Sequence, residues 1–391
     1  MTAVTRLPFE QGDPLRMAAR LRELQDRGTV HRVRTAMGDP AWLVTGHEHV
    51  RNLLDDDRLG RTHPTPETAA RTDETLFNGL LGDFATEAAD HARIRSLLRP
   101  HFSPRIMRDL TPRVETLTAR LLDDLAEHGP PADLHATLAV PLPILVICEL
   151  LGVPYEDRDR FRAWTDAAAT LGDPASCERG MLELFGYGRE LVARKRAEPG
   201  DDVISRLVAT EGVPDDEIAG LSMALLFAGH ETTVVHIGLG VLLLLTNPEQ
   251  WRALVDDPSL IPGAVEELLR ASVKGTGGGI PRYAREDLDI DGTAVRAGDL
   301  VLLANSAANH DPCVFPDPHR LDITRRAAGH VTFGHGGRYC QGAPVARIEL
   351  GVVLGQLVRR FPTLELAVEP DELTMRQNIL TGGLAELPVR W

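Results

Sequence analysis

Hydrophobic residues form one long, nearly unbroken run at residues 221–245. Acidic residues at 215–217 precede this run and Pro248 follows it, and both are signals for the ends of a helix. A run of this length can cross a membrane. His230 and Glu231 lie near its middle, however, where ionisable groups are costly in lipid. The pattern therefore predicts the buried central helix of a folded protein.

The middle of this predicted helix, residues 228–233, reads A-G-H-E-T-T. Gly229 weakens a helix, and the hydroxyls of Thr232 and Thr233 can bond to carbonyls one turn back and bend it. Such an opening can hold a small ligand against the backbone. The Glu231 carboxylate beside the Thr232 hydroxyl would form a short proton relay. The alternative is a simple helix kink with a capped glutamate.

Shorter patterns predict the remaining elements. Helical spacing indicates helices at about residues 87–98, 263–272 and 344–360. β-Branched runs near turn residues indicate short strands, at residues 42–45, 288–290, 301–303, 330–332 and 384–389. The predicted fold class is mainly α with small β-sheets, an α+β arrangement.

Length and cysteine usage narrow the class of protein. The chain has 391 residues but shows no linker, charge block or internal repeat, so we expect a single domain over 1–391. The first residues contain no apolar core, which argues against a signal peptide or membrane anchor. The four cysteines are far apart and suggest neither a disulfide framework nor a metal-ligand pair. We therefore expect a soluble, cytoplasmic protein.

Charge is unevenly distributed. The net charge of −15, from 57 acidic and 42 basic residues, argues against nucleic acid as a partner. Residues 93–108 nevertheless contain five arginines and no acid, and Arg325, Arg326 and Arg338 form a second basic group. These groups are either a solvated face or a docking patch that would attract an acidic redox partner.

One cysteine lies in a glycine-rich stretch, F-G-H-G-G-R-Y-C-Q-G at residues 333–342. Just before a helix, a cysteine meets unsatisfied amide N–H groups and the positive end of the helix dipole, which favour its thiolate. Glycines let N–H groups approach the sulfur and leave room for a flat cofactor. Cys340 is therefore a candidate thiolate ligand of haem iron. The alternative is a buried, inert cysteine.

In these residues the chain resembles the cytochrome P-450 superfamily, the haem-thiolate monooxygenases. The pattern F-G-x-G-x-x-x-C-x-G, the A-G-x-E-T-T stretch and E-x-x-R at 267–270 agree with the family in order and spacing, along roughly the last two-thirds of the chain. The resemblance implies the cytochrome P-450 fold, with a long central helix over a haem, as in the soluble bacterial members. One departure is that Arg338 stands where the family usually has histidine.

The resemblance also implies roles for individual residues. Cys340 would be the axial ligand of the haem iron, within a loop formed by Phe333, Gly334, Gly336 and Gly342. Thr232 and Glu231 would deliver protons to bound dioxygen, and Ala228 and Gly229 would flank the distal pocket. The haem propionates would meet a set of cations by charge-assisted hydrogen bonds, namely His91, Arg95, Arg282 and Arg338.

Two residue pairs on predicted helices are by themselves only weak evidence for a particular role. Glu267 and Arg270, three residues apart, can pair on one helix face, as many surface pairs do. The resemblance makes them part of a buried structural triad with Arg320. His91 and Arg95 repel mildly on their helix unless an anion faces them. Besides the propionates, Glu87 or Asp90 would serve as that anion.

The leading hypothesis is an oxidoreductase that contains haem b, activates O2 and hydroxylates or epoxidises a small organic molecule. The chain shows neither a flavin segment nor an iron–sulfur segment, so electrons would come from NAD(P)H through a ferredoxin reductase and a ferredoxin. The docking patch for this monomeric protein would consist of Arg93, Arg99, Arg105, Arg108, Arg325 and Arg326.

Whole-chain similarity points to bacterial specialised metabolism, such as antibiotic biosynthesis. Five segments would line the substrate pocket: 61–83, 164–177, 225–228, 274–280 and 380–383. Within the same fold, the alternative is an enzyme for oxidative coupling or ring formation. From another class, the alternative is a non-catalytic haem sensor. The Glu231–Thr232 relay argues against the sensor, which has no need to protonate dioxygen.

Overall fold

A computed structural model describes residues 5–72, 82–273, 278–376 and 379–391 of the chain. The described residues form thirteen α-helices, numbered α1 to α13 in chain order: Ala19–Arg27, His47–Leu54, Glu87–Leu98, Pro104–His128, Pro141–Leu151, Arg158–Ala169, Pro174–Ala197, Val203–Val208, Asp215–Leu245, Pro248–Asp256, Ile261–Ala271, Asn305–Asn309 and Ala343–Arg360. The described strands are short. In chain order, β1 to β11 are Thr5–Arg6, Val30–Arg34, Pro40–Val44, Leu59–Gly60, Ala132–Asp133, Ile280–Ala284, Leu288–Ile290, Thr293–Val295, Leu300–Leu303, Glu365–Leu366 and Pro388–Arg390. The expected fold class, mainly helical with small sheets, is confirmed.

The chain divides into two compact units, each made of separate stretches. Unit 1 contains Met1–Ser96 and Ser259–Gln341, and unit 2 contains Leu97–Pro258 and Gly342–Trp391. The single domain expected over residues 1–391 stays a prediction.

Unit 1 is built around a six-stranded sheet in the order β1-β2-β3-β9-β6-β4. Strands β3 and β9 are parallel neighbours, with Leu43 opposite Leu302. Both leucines are fully buried in apolar clusters. Strands β7 and β8 form a separate hairpin, whose turn at Asp291 and Gly292 has positive φ angles of 53° and 76°. The predicted strands at residues 42–45, 288–290 and 301–303 are confirmed, because their β-branched and leucine side chains fill this core.

Unit 2 is mostly helical and is organised around α9, which contacts α5, α7, α8, α10 and α13. A small sheet in the order β10-β11-β5 completes it. The predicted strand at residues 384–389 is only partly formed. Its regular part is β11, and Leu384 makes an isolated bridge to Met375.

Helix α9 runs without interruption from Asp215 to Leu245 and confirms the predicted central helix. It is apolar on every side, as a buried helix should be. Its length and composition also meet the requirements for a membrane span, but 78% of its most apolar window is buried inside the protein. The core helix of a soluble protein meets the same requirements, so this one helix is only weak evidence for a membrane span.

Candidate active site

The cysteine loop is a series of tight turns that end at Cys340. The Cys340 N–H donates to the Phe333 carbonyl at 2.8 Å, and the Gly334 N–H donates to the Val331 carbonyl at 2.9 Å. Gly334 and Gly336 have φ angles of 74° and 63°, which L-residues rarely adopt. A Cβ atom on Gly336 would lie 1.7 Å from Oδ1 of Asp55. The loop thus needs glycine at these positions.

The approach to the loop differs from the sequence prediction. Residues 330–332 were expected to form a strand, but they run as turns and irregular chain. Side chains take the place of a strand partner. The Val331 N–H donates to Oδ1 of Asn309 at 2.8 Å, and the Thr332 hydroxyl donates to the Leu269 carbonyl at 2.8 Å. The strand prediction was wrong because these tertiary hydrogen bonds satisfy the backbone.

The Cys340 thiol is accessible and reduced. The cysteine comes three residues before the first residue of α13, Ala343, in agreement with the predicted loop-to-helix order. An accessible thiol argues against the alternative of a buried, inert cysteine. Cys148 is an example of the latter, since burial raises the pKa of its thiol to about 12.

Unit 1 gathers four arginines and one histidine beside the cysteine loop. They come from the chain after β4, from α3, from β6 and from the loop itself: Arg61, His91, Arg95, Arg282 and Arg338. We call these five residues the cation cluster. Arg95 donates to the Tyr339 carbonyl, one residue before Cys340. Four of the five were expected from the sequence, and Arg61 was named there only as part of a lining segment.

Mutual repulsion and desolvation perturb the cation cluster strongly. Burial, then the charges of Arg338, Arg61 and Arg95, lower the pKa of His91 to about 4. Burial, then Arg61 and Arg338, lower the pKa of Arg282 to about 9. Burial is the larger cause of both shifts and leaves His91 neutral near pH 7, and the further lowering by neighbouring arginines shows that like charges are held close together. The donor set therefore fits a ligand with carboxylates, as a haem with its two propionates is.

Arg61 is accessible to solvent but closely surrounded by protein atoms. This desolvation, with the charge of Arg338, lowers the pKa of its guanidinium. Glu87 is an anion in contact with the cluster, and it was considered in the sequence as an alternative partner for His91 and Arg95. The structure pairs Glu87 with Arg338 instead, at 2.7 Å.

Another group of expected site residues lies on α9 in unit 2. Ala224, Ala228 and Thr232, at successive helical turns, are exposed, whereas Met223, Leu226, His230, Glu231 and Thr233 on the same helix are buried. The Thr232 hydroxyl donates to the Ala228 carbonyl at 3.0 Å, and the Thr233 hydroxyl to that of Gly229 at 3.5 Å. The expected hydroxyl-to-carbonyl bonds therefore form, but α9 keeps its helical hydrogen bonds throughout this stretch.

Glu231 faces away from Thr232. Its side chain is 3% exposed, and Oε2 accepts hydrogen bonds from Arg376 at 2.9 Å and from Thr381 at 3.1 Å. Arg376 also lies 3.5 Å from Oδ1 of Asp166 on α6. Arg376 was not expected from the sequence, and Asp166 and Thr381 were expected only as parts of pocket-lining segments, because all three are far from Glu231 along the chain.

His230, next to Glu231, is fully buried. Its Nδ1 atom lies 3.7 Å from Oε1 of Glu231, and its ring meets Phe161 edge-on at 6.0 Å. Burial lowers the pKa of His230 to about 3, so the imidazole is neutral. Both ring nitrogens lack a hydrogen-bond partner among the described residues.

The buried triad in unit 1 differs from the expected one in its third member. Arg270 binds Glu267 through two hydrogen bonds of 2.7 and 2.8 Å, and both side chains are fully buried. The third member is Arg325, at 3.1 Å from Glu267, whereas Arg320 is exposed. The chain turns between residues 311 and 325, where Asp317 has a φ angle of 48°. This turn brings Arg325 to Glu267.

Arg325 is also too buried to belong to the expected docking patch. Its side chain is 11% exposed and donates to the carbonyls of Pro316, Asp317 and Arg320. The remaining members of the patch are exposed: Arg93, Arg99, Arg105, Arg108 and Arg326. Of the expected pocket segments, parts of 61–83 and 274–280 lie outside the described residues.

Comparison with known proteins identifies the family of the chain. The sequence model of the family described as Cytochrome P450 matches residues 259–385. The chain is 44% identical to pentalenolactone synthase of Streptomyces exfoliatus, over 100% of both chains. It is 40% identical to mycinamicin IV hydroxylase/epoxidase of Micromonospora griseorubida, over 98% of both. The substrate-free structure of the polyene macrolide antibiotic pimaricin epoxidase is 40% identical, covers 100% of both chains and has a TM-score of 0.90.

Fold and site together define a haem-thiolate oxygenase. The relatives are monooxygenases named as hydroxylases, epoxidases or synthases, and similarity extends over the whole chain. The chain belongs to the cytochrome P450 family and is a monooxygenase that uses haem and O2.

Proposed function

We propose that Cys340 binds the iron of haem b and that the cation cluster binds its propionates. Bound in this way, thiolate-ligated haem supplies the oxidising chemistry, in which one oxygen atom of O2 enters the substrate and the other leaves as water. The observation that carries the proposal is the gathering of four arginines and His91 next to the exposed Cys340, with Arg95 bonded to the Tyr339 carbonyl and Arg338 in the loop itself.

Within unit 1, each residue has a distinct part in holding the cofactor. The glycines at 334, 336 and 342 and the Phe333 carbonyl shape the loop around the thiolate. His91, Arg95, Arg282 and Arg338 would donate hydrogen bonds to the propionates, together with Arg61. The cysteine thiolate and the neutralised propionates would together fix the position of the ring.

Within unit 2, we assign proton delivery to Glu231 and Thr232. The accessible Thr232 hydroxyl would hold a proton toward bound dioxygen, and Ala228 and Gly229 would flank the space that O2 occupies. Glu231 would supply protons from its buried position, while Arg376 and Thr381 hold its carboxylate. Because Glu231 does not face Thr232, transfer between them requires a side-chain rotation or a bridging water.

The substrate that we propose is a small organic intermediate of bacterial natural-product biosynthesis. Its support is the printed activities of relatives, which include mycinamicin IV hydroxylation/epoxidation and pimaricin epoxidation. Hydroxylation or epoxidation is therefore the proposed reaction. Oxidative coupling or ring formation stays the alternative within this fold, and it would place no oxygen atom in the product. A non-catalytic sensor is disfavoured by the accessible Thr232 hydroxyl.

We propose that electrons come from NAD(P)H through a ferredoxin reductase and a ferredoxin. The docking residues would be Arg93 and Arg326 in unit 1 and Arg99, Arg105 and Arg108 in unit 2, on a cytoplasmic, monomeric protein. Charge reversal tests this patch. Arg105→Glu and Arg108→Glu should each slow reduction by an acidic ferredoxin about tenfold at low salt, whereas Arg252→Glu on α10, which is also exposed, should not.

The reduced protein exposed to carbon monoxide gives the central test. A strongly red-shifted Soret band is expected for the wild-type protein and for Cys313→Ser, which alters an exposed free cysteine outside the loop. Cys340→Ser should bind haem weakly or give an unshifted band. An unshifted wild-type band, or the same band in Cys340→Ser, would disprove thiolate ligation by Cys340.

A further inference from the structure

One carboxylate in unit 1 has an unusual number of donors. Oε1 of Glu87 accepts from the Arg61 N–H at 2.9 Å and from Nη2 of Arg338 at 2.7 Å. Oε2 accepts from the Thr62 N–H at 3.0 Å, the Thr62 hydroxyl at 2.6 Å and Nη1 of Arg285 at 3.4 Å. The Glu87 side chain is only 8% exposed.

These donors come from three separate segments, and the acceptor Glu87 comes from a fourth. Arg61 and Thr62 follow β4, Arg285 follows β6, Arg338 lies in the cysteine loop, and Glu87 itself begins α3. The backbone is shaped for this approach. A Cβ atom on Gly60 would lie 2.8 Å from Oε2 of Glu87. Glu87 therefore joins the helix that carries His91 and Arg95 to the loop that carries Cys340.

Glu87 is held in its ionised form. Burial would raise its pKa, but hydrogen bonds from Thr62 and Arg61 and the charge of Arg338 outweigh burial and lower the pKa to about 2. The carboxylate is thus ionised at any pH at which the protein is active. It offsets part of the positive charge of the cation cluster, and it holds one nitrogen of Arg338 while leaving other N–H groups of that guanidinium free to donate.

We propose that Glu87 is a positioning residue of the haem site, which fixes Arg338 for a propionate and keeps the reduction potential of the iron low. The inference rests on the proposed function, because it requires haem at Cys340. Reduction adds one negative charge to the haem, so a fixed carboxylate in a poorly solvated site opposes it. Removing that carboxylate makes reduction easier.

Spectroelectrochemical titration of the purified haem protein tests the charge of Glu87. Glu87→Gln keeps the size of the side chain and should shift the midpoint potential to a more positive value. Asp90→Asn removes the same charge from the same helix at an exposed position. Its shift should be several times smaller because solvent screens it. Glu87→Asp keeps the charge and should return the potential most of the way to the wild-type value.

Arg338→Gln provides a second test that does not depend on Glu87→Gln being well folded. It removes the positive partner and should shift the potential in the opposite, negative direction. The variant should also lose haem to an apo-haem acceptor several-fold faster than Asp90→Asn does.

The outcomes distinguish a failure of the proposed function from a failure of the role assigned to Glu87. A wild-type protein without the red-shifted carbon monoxide band would overturn the proposed function together with this inference. A normal band with equal potentials for Glu87→Gln and Asp90→Asn would overturn only the role of Glu87. So would a shift in Glu87→Asp as large as in Glu87→Gln, or a positive or absent shift in Arg338→Gln.

Discussion

Arg376 binds the buried carboxylate of Glu231 at 2.9 Å and lies 3.5 Å from Asp166, whose side chain is 40% exposed. One guanidinium thus connects an acid deep in unit 2 to an acid that reaches solvent. The Thr381 hydroxyl completes the set of donors to Glu231. The position of the proposed proton donor therefore depends on residues outside its own helix.

Arg376→Leu should destabilise the protein by about 2 kcal/mol or more, because it leaves the Glu231 carboxylate buried without a charged partner. Arg189→Leu is a matched control, since Arg189 forms an exposed pair with Asp216. That control should cost about 1 kcal/mol or less. Urea denaturation of both variants gives the comparison, and equal losses would contradict the importance of the buried pair.

Thr232→Ala should reduce the fraction of NAD(P)H oxidation that yields oxidised substrate, while haem binding stays intact. The reason is that the accessible hydroxyl on α9 is lost, and positioned proton donors contribute about 100-fold or more to a rate. Thr246→Ala is the control, because Thr246 makes the same kind of bond to the Leu242 carbonyl at the end of α9. Unchanged coupling of NAD(P)H use to product in Thr232→Ala would show that the assignment to Thr232 is wrong.

Arg325→Ala should destabilise unit 1 by about 3 kcal/mol, or prevent folding, because Glu267 would lose one of its two arginines in a buried site. Arg320→Ala alters an exposed side chain five residues earlier and should change stability by about 0.5 kcal/mol or less. Thermal unfolding of the two variants distinguishes them. Comparable losses would restore Arg320 as the third member of the triad.

The neutral His230 should make the protein sensitive to acid. Its pKa of about 3 in the folded state lies below the ordinary value, so the folded state excludes a proton that the unfolded chain accepts. This contribution to stability is fully present above pH about 6.5 and is lost as the pH falls toward 3, at up to about 1.4 kcal/mol per pH unit.

Urea titrations from neutral to acidic pH test this contribution. His230→Leu should flatten the dependence of the free energy of unfolding on pH, whatever its effect on stability at neutral pH. His128→Leu, at the exposed end of α4, should leave the dependence unchanged. The same slope in His230→Leu and in the wild-type protein would assign the acid sensitivity to other groups.

Predictions from the sequence were most accurate where the residues that determine a feature lie close together along the chain. Helix α9 has its start signal, its apolar run and its closing proline within one stretch, and the structure begins and ends it accordingly. The loop requires positive φ angles at Gly334 and Gly336, and glycine at both positions of the sequence already indicates this requirement. Residues 330–332 look like a strand by composition, but Asn309 and Leu269 satisfy their hydrogen bonds from elsewhere in unit 1.

By itself, the sequence determined the class of fold, the cysteine ligand candidate and four members of the cation cluster. Motif spacing and helix periodicity carry the first two because the residues concerned are neighbours along the chain, whereas the four cluster members were implied by the resemblance to the family. Only the tertiary structure decided that Arg325 rather than Arg320 meets Glu267, that Arg376 holds Glu231 and that Glu87 holds Arg338. Any of the 42 basic residues can satisfy a carboxylate chemically. Which one does so depends on long-range folding, which brings distant segments within hydrogen-bond distance.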